Sequence, residues 1–231
     1  VLSIWHEYRE AGLDDPENAK LPPMEDLQKA AQHIDISNLL LDSENMTVSF
    51  ADPEMKLDVG AVAKGYATEI VGQMLLSGDM PSFIISAGGN VRMGIAPADG
   101  RAKWGVGIQD PDGAVLGLSD IVETLFLTNA SVVTSGDYQR FYIVDGQRYH
   151  HLIDPDTLMP DTEFRSVSII TEDSGYADLL STAAFLMPYD ESRAFIESLD
   201  GVEALWVFPD GRIEMTDGAK LAAKSCGATN K

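Results

Sequence analysis

From Ser82 to Thr171 the sequence reads as one strand after another, and this run limits the fold more than any other feature. Apolar and β-branched stretches recur at Ser82–Ser86, Val91–Ile95, Trp104–Gln109, Ile121–Leu127, Val132–Thr134, Phe141–Val144, Tyr149–Ile153 and Val167–Thr171. Helical patterning lies outside the run. Met24–Ile34 places Met24, Leu27, Ala31 and Ile34 on one side, and further helices are expected over Ala61–Leu76, Ser174–Met187 and Asp190–Leu199. Strands in series, rather than in strict alternation with helices, predict an α+β fold with a largely antiparallel or mixed sheet and packed helices. Two short strands, Leu39–Leu41 and Met46–Phe50, flank an Asp-Ser-Glu-Asn turn, and Val202–Phe208 with Arg212–Met215 reads as a hairpin around Pro209-Asp210-Gly211. Pro16 to Pro23 is an acidic, proline-rich loop. Residues 1–216 are expected to form the domain, and the small, polar stretch 217–231 a frayed tail.

The chain has 231 residues and 45% hydrophobic content, enough for one sizeable core. Sixteen basic residues against 37 acidic ones give a formal charge of −21. A surface of that sign repels nucleic acid and anionic lipid. Any anionic ligand therefore needs a local site made of backbone N–H groups, a metal ion or a placed cation. Cys226 is the single cysteine, so no intrachain disulfide forms. No stretch reaches transmembrane length and no signal peptide is visible. The apolar start Val1-Leu2-Ser3-Ile4-Trp5 lacks an initiator Met and reads as the middle of a fold, so an N-terminal portion is expected to be missing.

Four segments carry candidate chemistry. In Leu57-Asp58-Val59-Gly60-Ala61-Val62-Ala63-Lys64-Gly65-Tyr66-Ala67, a glycine lies between strand and helix. A cation in the first helical turn opposes the helix dipole, so Lys64 hints at a bound anion; the alternative is an Asp58 cap and a solvated Lys64. Ser86-Ala87-Gly88-Gly89-Asn90 is either a hairpin turn or a backbone nest for phosphate. Thr134-Ser135-Gly136 precedes Tyr149-His150-His151-Leu152-Ile153-Asp154-Pro155. On a strand the two histidines would face opposite sides, so at most one serves a given site, and their spacing does not suit one Zn²⁺. In Ala177-Asp178-Leu179-Leu180-Ser181-Thr182-Ala183, Asp178 and Thr182 share one face of an otherwise apolar helix. A carboxylate and a hydroxyl there read equally as half of a hard-cation site or as a narrow solvent face.

In this order the segments resemble the ApbE family of FAD:protein FMN transferases. Its pattern includes Asp-[Leu/Val]-Gly-x-x-Ala-Lys-Gly-Tyr-Ala, a Gly-Gly-Asn turn, Thr-Ser-Gly, His-x-x-Asp-Pro and an Ala-Asp-x-x-[Ser/Ala]-Thr-Ala helix. All five are present, and the resemblance runs from Trp5 to about Met215. It implies a T-fold-like architecture and a set of roles. Asp58 and Lys64 would contact FAD, Leu152 would lie against the flavin, and Gly88 and Gly89 would line the cofactor. The Ala61 carbonyl, Asp178 and Thr182 would hold Mg²⁺, with Ser181 close enough to help. His151 would be the catalytic histidine.

The implied reaction transfers the FMN moiety of FAD to a Thr or Ser hydroxyl of a partner, the FMN-binding domain of a redox complex, and releases AMP. Water in place of that hydroxyl would make the chain an FAD pyrophosphatase. A non-catalytic flavin-binding module is a third reading, against which Asp178, Thr182 and His151 argue. Family members have a further N-terminal portion that contributes to the flavin pocket, and many are exported lipoproteins on the extracytoplasmic face of the bacterial membrane. The resemblance carries both as expectations. Near the C-terminus, Ser225-Cys226-Gly227-Ala228-Thr229 is only faintly like a flavin acceptor sequence and reads as plain tail.

Overall fold

Antiparallel pairing organises the whole chain in the computed structural model, which describes residues 1–113 and 120–231. Those residues divide into two units. The first comprises Val1–Val59 and Arg140–Pro160, the second Gly60–Gln139 and Asp161–Lys231.

In the first unit, helix α1 (Leu2–Asp14) packs on a hairpin of β8 (Phe141–Val144) and β9 (Gln147–His150). Trp5 is the centre of this contact. It is buried with Leu27, Tyr142, Val144, Ile153 and Leu158. Its ring stacks on Tyr149 at 6.2 Å and meets Tyr142 edge-on at 6.5 Å. Its indole N–H donates to the Leu158 carbonyl at 2.9 Å, so the polar edge of the buried ring is satisfied. Gly12 lets the helix come this close, because a Cβ there would sit 2.6 Å from the Tyr142 ring. The helix expected from Met24 is α for one stretch, α2 (Met24–Ala30), and then tightens to a 3₁₀ turn at Ala31–His33. Strands β1 (Leu39–Asp42) and β2 (Thr47–Phe50) pair as the expected hairpin.

The second unit holds a six-stranded antiparallel sheet in the order β12-β11-β10-β7-β4-β3. Its strands are β3 (Ile84–Ser86), β4 (Asn90–Met93), β7 (Ser131–Gly136), β10 (Ser166–Thr171), β11 (Glu203–Val207) and β12 (Ile213–Met215). Among the described residues this unit has the helices α3 (Ala63–Ser77), α4 (Ser174–Phe185), α5 (Tyr189–Glu197) and α6 (Asp217–Ala222). Side chains alternate between the two faces of each strand. One face carries Met93, Val132, Ile170, Leu205 and Val207, and a second hairpin of β5 (Trp104–Gln109) and β6 (Ile121–Leu127) packs there with Val106, Ile108 and Leu125. The other face carries Val133, Ser135, Val167 and Ile169 and lies under α4, which packs on β7 and β10. Asn90 and Arg92 of β4 share that helix-covered face, since Asn90 pairs with Val133 and Arg92 with Ser131.

The α+β fold with an antiparallel sheet is the one the strand run predicts. Three local expectations differ. A helix occupies Leu2–Asp14, where the sequence suggested only an apolar start. Strand β9 stops at His150, so His151 lies past its end and the alternation argument does not reach it. The stretch expected as a frayed tail instead forms α6 and a 3₁₀ turn at Lys224–Cys226. Ala219, Ala222 and Ala223 join the core there, because small side chains let the segment lie flat against β6. Glu123 on β6 accepts hydrogen bonds from the backbone N–H and the hydroxyl of Ser225. Among the described residues no helix is long and apolar enough to cross a membrane.

Candidate functional site

Helix α3 starts without a side-chain cap: Val62 sits at its N-cap position, and the first bond within the helix runs from Tyr66 N–H to the Val62 carbonyl at 2.9 Å. The N–H of Gly65 precedes that bond and needs an acceptor from elsewhere. Asp178 of α4 supplies it. Gly65 N–H donates to Asp178 Oδ2 at 2.7 Å, and Lys64 Nζ donates to Asp178 Oδ1 at 2.8 Å. The dipole conflict that Lys64 poses in the sequence is thus resolved by a carboxylate from another helix. Asp58 does not cap α3, which begins five residues further on. It lies exposed in an irregular segment of the first unit.

Close approach of α3 to α4 depends on Gly65. A Cβ there would stand 2.3 Å from the Ser174 carbonyl oxygen and 2.5 Å from Asp178 Cβ. Both are backbone or near-backbone atoms that cannot swing aside. In a helix interior Gly→Ala ordinarily stabilises by roughly 1 kcal/mol. Gly65→Ala should instead destabilise by about 1–3 kcal/mol, the usual range for overpacking. Urea unfolding of wild type and variant measures the sign.

One turn beyond Asp178, the Thr182 hydroxyl lies 3.4 Å from Ser135 Oγ on β7. Ser135 Oγ also pairs with Ser181 Oγ at 2.8 Å, and Ser181 donates to the Asp178 carbonyl at 2.9 Å. Asp178, Ser181, Thr182, Lys64 and Ser135 therefore form one cluster. Asp178 and Thr182 present a carboxylate and a hydroxyl one turn apart on α4, hard-oxygen donors of the kind Mg²⁺ prefers, and Ala61 sits in the turn before α3. That ion takes few protein ligands and fills its shell with water and phosphate oxygens. Ser181 is fully buried, and its hydroxyl is shared with Ser135 and the Asp178 carbonyl. Among the described residues no three His, Cys, Asp or Glu side chains converge as a metal cage.

Gly88 and Gly89 form the two-residue turn of the β3–β4 hairpin, closed by Ala87 N–H to the Asn90 carbonyl at 2.8 Å. Both have positive φ, 56° and 83°, which explains glycine at each position. The turn reading of this segment accounts for its geometry.

His151 belongs to the first unit. Its Nδ1 is buried and has no hydrogen-bond partner. Burial, with help from the Arg140, His150 and Arg9 charges, pushes its pKa down to about 4, so the ring is neutral at pH 7. His150 is the more structural of the pair: it is buried on β9, and its Nδ1 accepts the Leu152 N–H at 3.2 Å. Leu152 is itself buried. Asp154 caps the following turn, accepting from Asp156 N–H at 2.8 Å and the Thr157 hydroxyl at 2.9 Å.

Two contributors were not legible in the sequence. Ser135 lay in a noted segment without a role, and Glu69, whose carboxylate accepts the Ser174 N–H at the start of α4, stood in no motif. A carboxylate among the small residues of α3 (Gly65, Thr68, Gly72) was the only signal for Glu69.

Comparison with known proteins gives the same grouping. Residues 1–206 match the model of the ApbE family. A relative from Treponema pallidum, an FAD:protein FMN transferase, is 40% identical over 180 residues, covering 74% of this chain and 49% of its own. One of the same name from Klebsiella pneumoniae is 30% identical over 184 residues, covering 79% and 55%. The chain thus spans about half the length of these curated relatives. The crystal structure of the ApbE protein of Thermotoga maritima superposes with a TM-score of 0.79 at 37% identity, over 89% of this chain and 65% of that one. The flavin transferase ApbE of Vibrio cholerae gives 0.72 at 26%, over 85% and 61%. With the fold, the family match and these relatives in agreement, the chain belongs to the ApbE family.

Proposed function

We propose that this chain carries the pyrophosphate-cleaving part of an FAD:protein FMN transferase, which moves FMN from FAD to a Thr or Ser hydroxyl of a partner flavoprotein and releases AMP. One observation carries the reading: the buried Asp178 carboxylate meets Lys64 and the N-terminal N–H of α3, with the Thr182 hydroxyl one turn away. In a chain of charge −21, this cluster combines a cation, a helix N-terminus and hard-oxygen ligands, which are the elements that hold a pyrophosphate.

Asp178, Thr182 and the Ala61 carbonyl are the assigned Mg²⁺ ligands. Bound there, Mg²⁺ would neutralise charge on the pyrophosphate oxygens as the bond to AMP breaks. Lys64 turns its ammonium to the same phosphates. On family resemblance His151, whose ring is neutral at pH 7, is assigned to take the proton of the attacking hydroxyl. The hydroxyl oxygen bonds to the FMN-side phosphorus, the bond to the AMP oxygen breaks, and AMP leaves with that electron pair. Asp58, Leu152, Gly88 and Gly89 are assigned to FAD on family resemblance.

The test incubates the protein with FAD, Mg²⁺ and an acceptor flavoprotein domain, and reads acceptor mass and free AMP. An FMN-sized mass increase with stoichiometric AMP supports transfer. AMP without an adduct makes the chain an FAD pyrophosphatase. Bound FAD with neither product makes it a binding module.

A further inference from the structure

Helices α3 and α4 exchange carboxylates at their N-termini. Asp178 of α4 accepts the Gly65 N–H of α3 at 2.7 Å. Glu69, four residues along α3, reaches the other way: its Oε2 accepts the N–H of Ser174, the first residue of α4, at 2.8 Å. Each N–H is one that a helix leaves without an internal partner, and a carboxylate beside it is favoured by the helix dipole. Gly65 and Glu69 share a face of α3, as Ser174 and Asp178 share a face of α4. The four residues close a loop, and neither helix can slide along the other without breaking both caps.

The sheet holds this loop from beneath. Arg92 of β4, fully buried, donates from Nε to Glu69 Oε2 at 3.0 Å and from Nη2 to Oε1 at 3.4 Å. Gln73 Nε2 donates to Oε1 at 2.6 Å. Asn90, also on β4 and fully buried, accepts the Ser174 hydroxyl through Oδ1. A buried Arg–Glu pair is a poor source of stability, since apolar residues of similar volume usually do as well or better. Its effect here is geometric.

We infer that Glu69, oriented by Arg92, is a positioning residue for Asp178: by capping α4 it fixes where the Asp178 carboxylate stands relative to the α3 N-terminus. The metal role of Asp178 rests on the proposed function, whereas the positioning claim follows from the two reciprocal caps, which act beside the packing of α4 on the sheet and its own N-cap, Asp173. The Glu69 carboxylate is taken up by Ser174, Arg92 and Gln73.

Two double variants separate the cap from the ion pair. Glu69→Gln with Arg92→Met keeps an acceptor for Ser174 N–H and leaves no unpaired charge. Glu69→Met with Arg92→Met removes the acceptor as well. Calorimetric Mg²⁺ binding and the Mg²⁺ dependence of AMP release are measured on both. The second variant should bind Mg²⁺ at least about tenfold more weakly, as when a residue supporting a metal ligand is lost, with the first within about threefold of wild type. Equal affinities in the two would overturn the inference. Amide exchange on the metal-free wild type gives an independent readout. Gly65 and Ser174 amides should share one protection factor and one denaturant dependence, as members of one cooperative unit. A Gly65 amide that exchanges freely while Ser174 is protected would refute the loop. If wild type binds no Mg²⁺, the metal assignment fails, and the amide comparison still decides the positioning claim.

Discussion

Asp178→Asn should reduce Mg²⁺-dependent AMP release by on the order of 10³-fold, the rate equivalent of losing several kcal/mol of metal-borne stabilisation. The fold should survive. An amide oxygen can still accept the Gly65 N–H, and Lys64, about a third exposed, can turn to water. Urea unfolding should therefore shift little while turnover collapses. Asp178→Ala would confound the two effects, because it leaves the Gly65 N–H without its acceptor. A variant with both wild-type turnover and an unchanged Mg²⁺ dependence would remove Asp178 from the chemistry. Turnover restored by raising Mg²⁺ would instead show a weakened but present site.

What the sequence made legible, and what it did not, follows from the range of each interaction. Strands Trp104–Gln109, Ile121–Leu127 and Phe141–Val144 are found at their expected bounds, because local patterning of apolar residues specifies them. The Gly88-Gly89 turn was legible for the same reason. Helix α1 was missed although Ile4, Trp5, Tyr8 and Gly12 repeat at helical spacing. Its apolar face is narrow, and its partners, Tyr142 and Leu158, lie more than a hundred residues away. The C-terminal stretch misled for a compositional reason. Alanine reads as neither core nor loop until its partner surface is known, and here β6 is that surface.

The candidate site divides in the same way. Asp178 and Thr182 were recognisable as a pair because helical spacing alone puts them on one face. From sequence the Lys64 anomaly points to a bound anion; in the structure the ammonium meets a carboxylate of the protein itself, Asp178, 114 residues further along the chain. Glu69 carried only the faint signal of a carboxylate among small residues, and Arg92 carried none. Their pairing is a tertiary event, and the helix of small residues that holds Glu69 gives no hint that its carboxylate caps another helix. Net charge argued against a nucleic-acid or anionic-lipid reading, but it did not say where among the acidic surface a cation such as Lys64 would stand.

His151→Gln should slow FMN transfer by roughly 10²–10⁴-fold at pH 7, the usual contribution of a general base, while making the protein less sensitive to acid. The second effect follows from linkage. The folded-state pKa is about 4, against an ordinary 6.5 in the unfolded chain. As pH falls below 6.5, the unfolded chain takes up a proton that the folded protein refuses, so stability drops. The loss continues down to pH 4 and then levels off, because both states are protonated. Across that window it amounts to about 3 kcal/mol, because refusing one proton costs about 1.4 kcal/mol for every pH unit below the unfolded pKa. Glutamine does not titrate, so the difference in unfolding free energy between variant and wild type should move in the variant's favour from pH 7 to pH 4. Comparing the two proteins cancels the acid response of the many carboxylates they share. A difference that stays constant with pH would show that His151 is protonated as readily in the folded protein as in the unfolded chain. The acid-sensitivity effect would then fail, while a ring of ordinary pKa, about 6.5, would still be mostly neutral at pH 7, so the turnover comparison alone would decide its role as base.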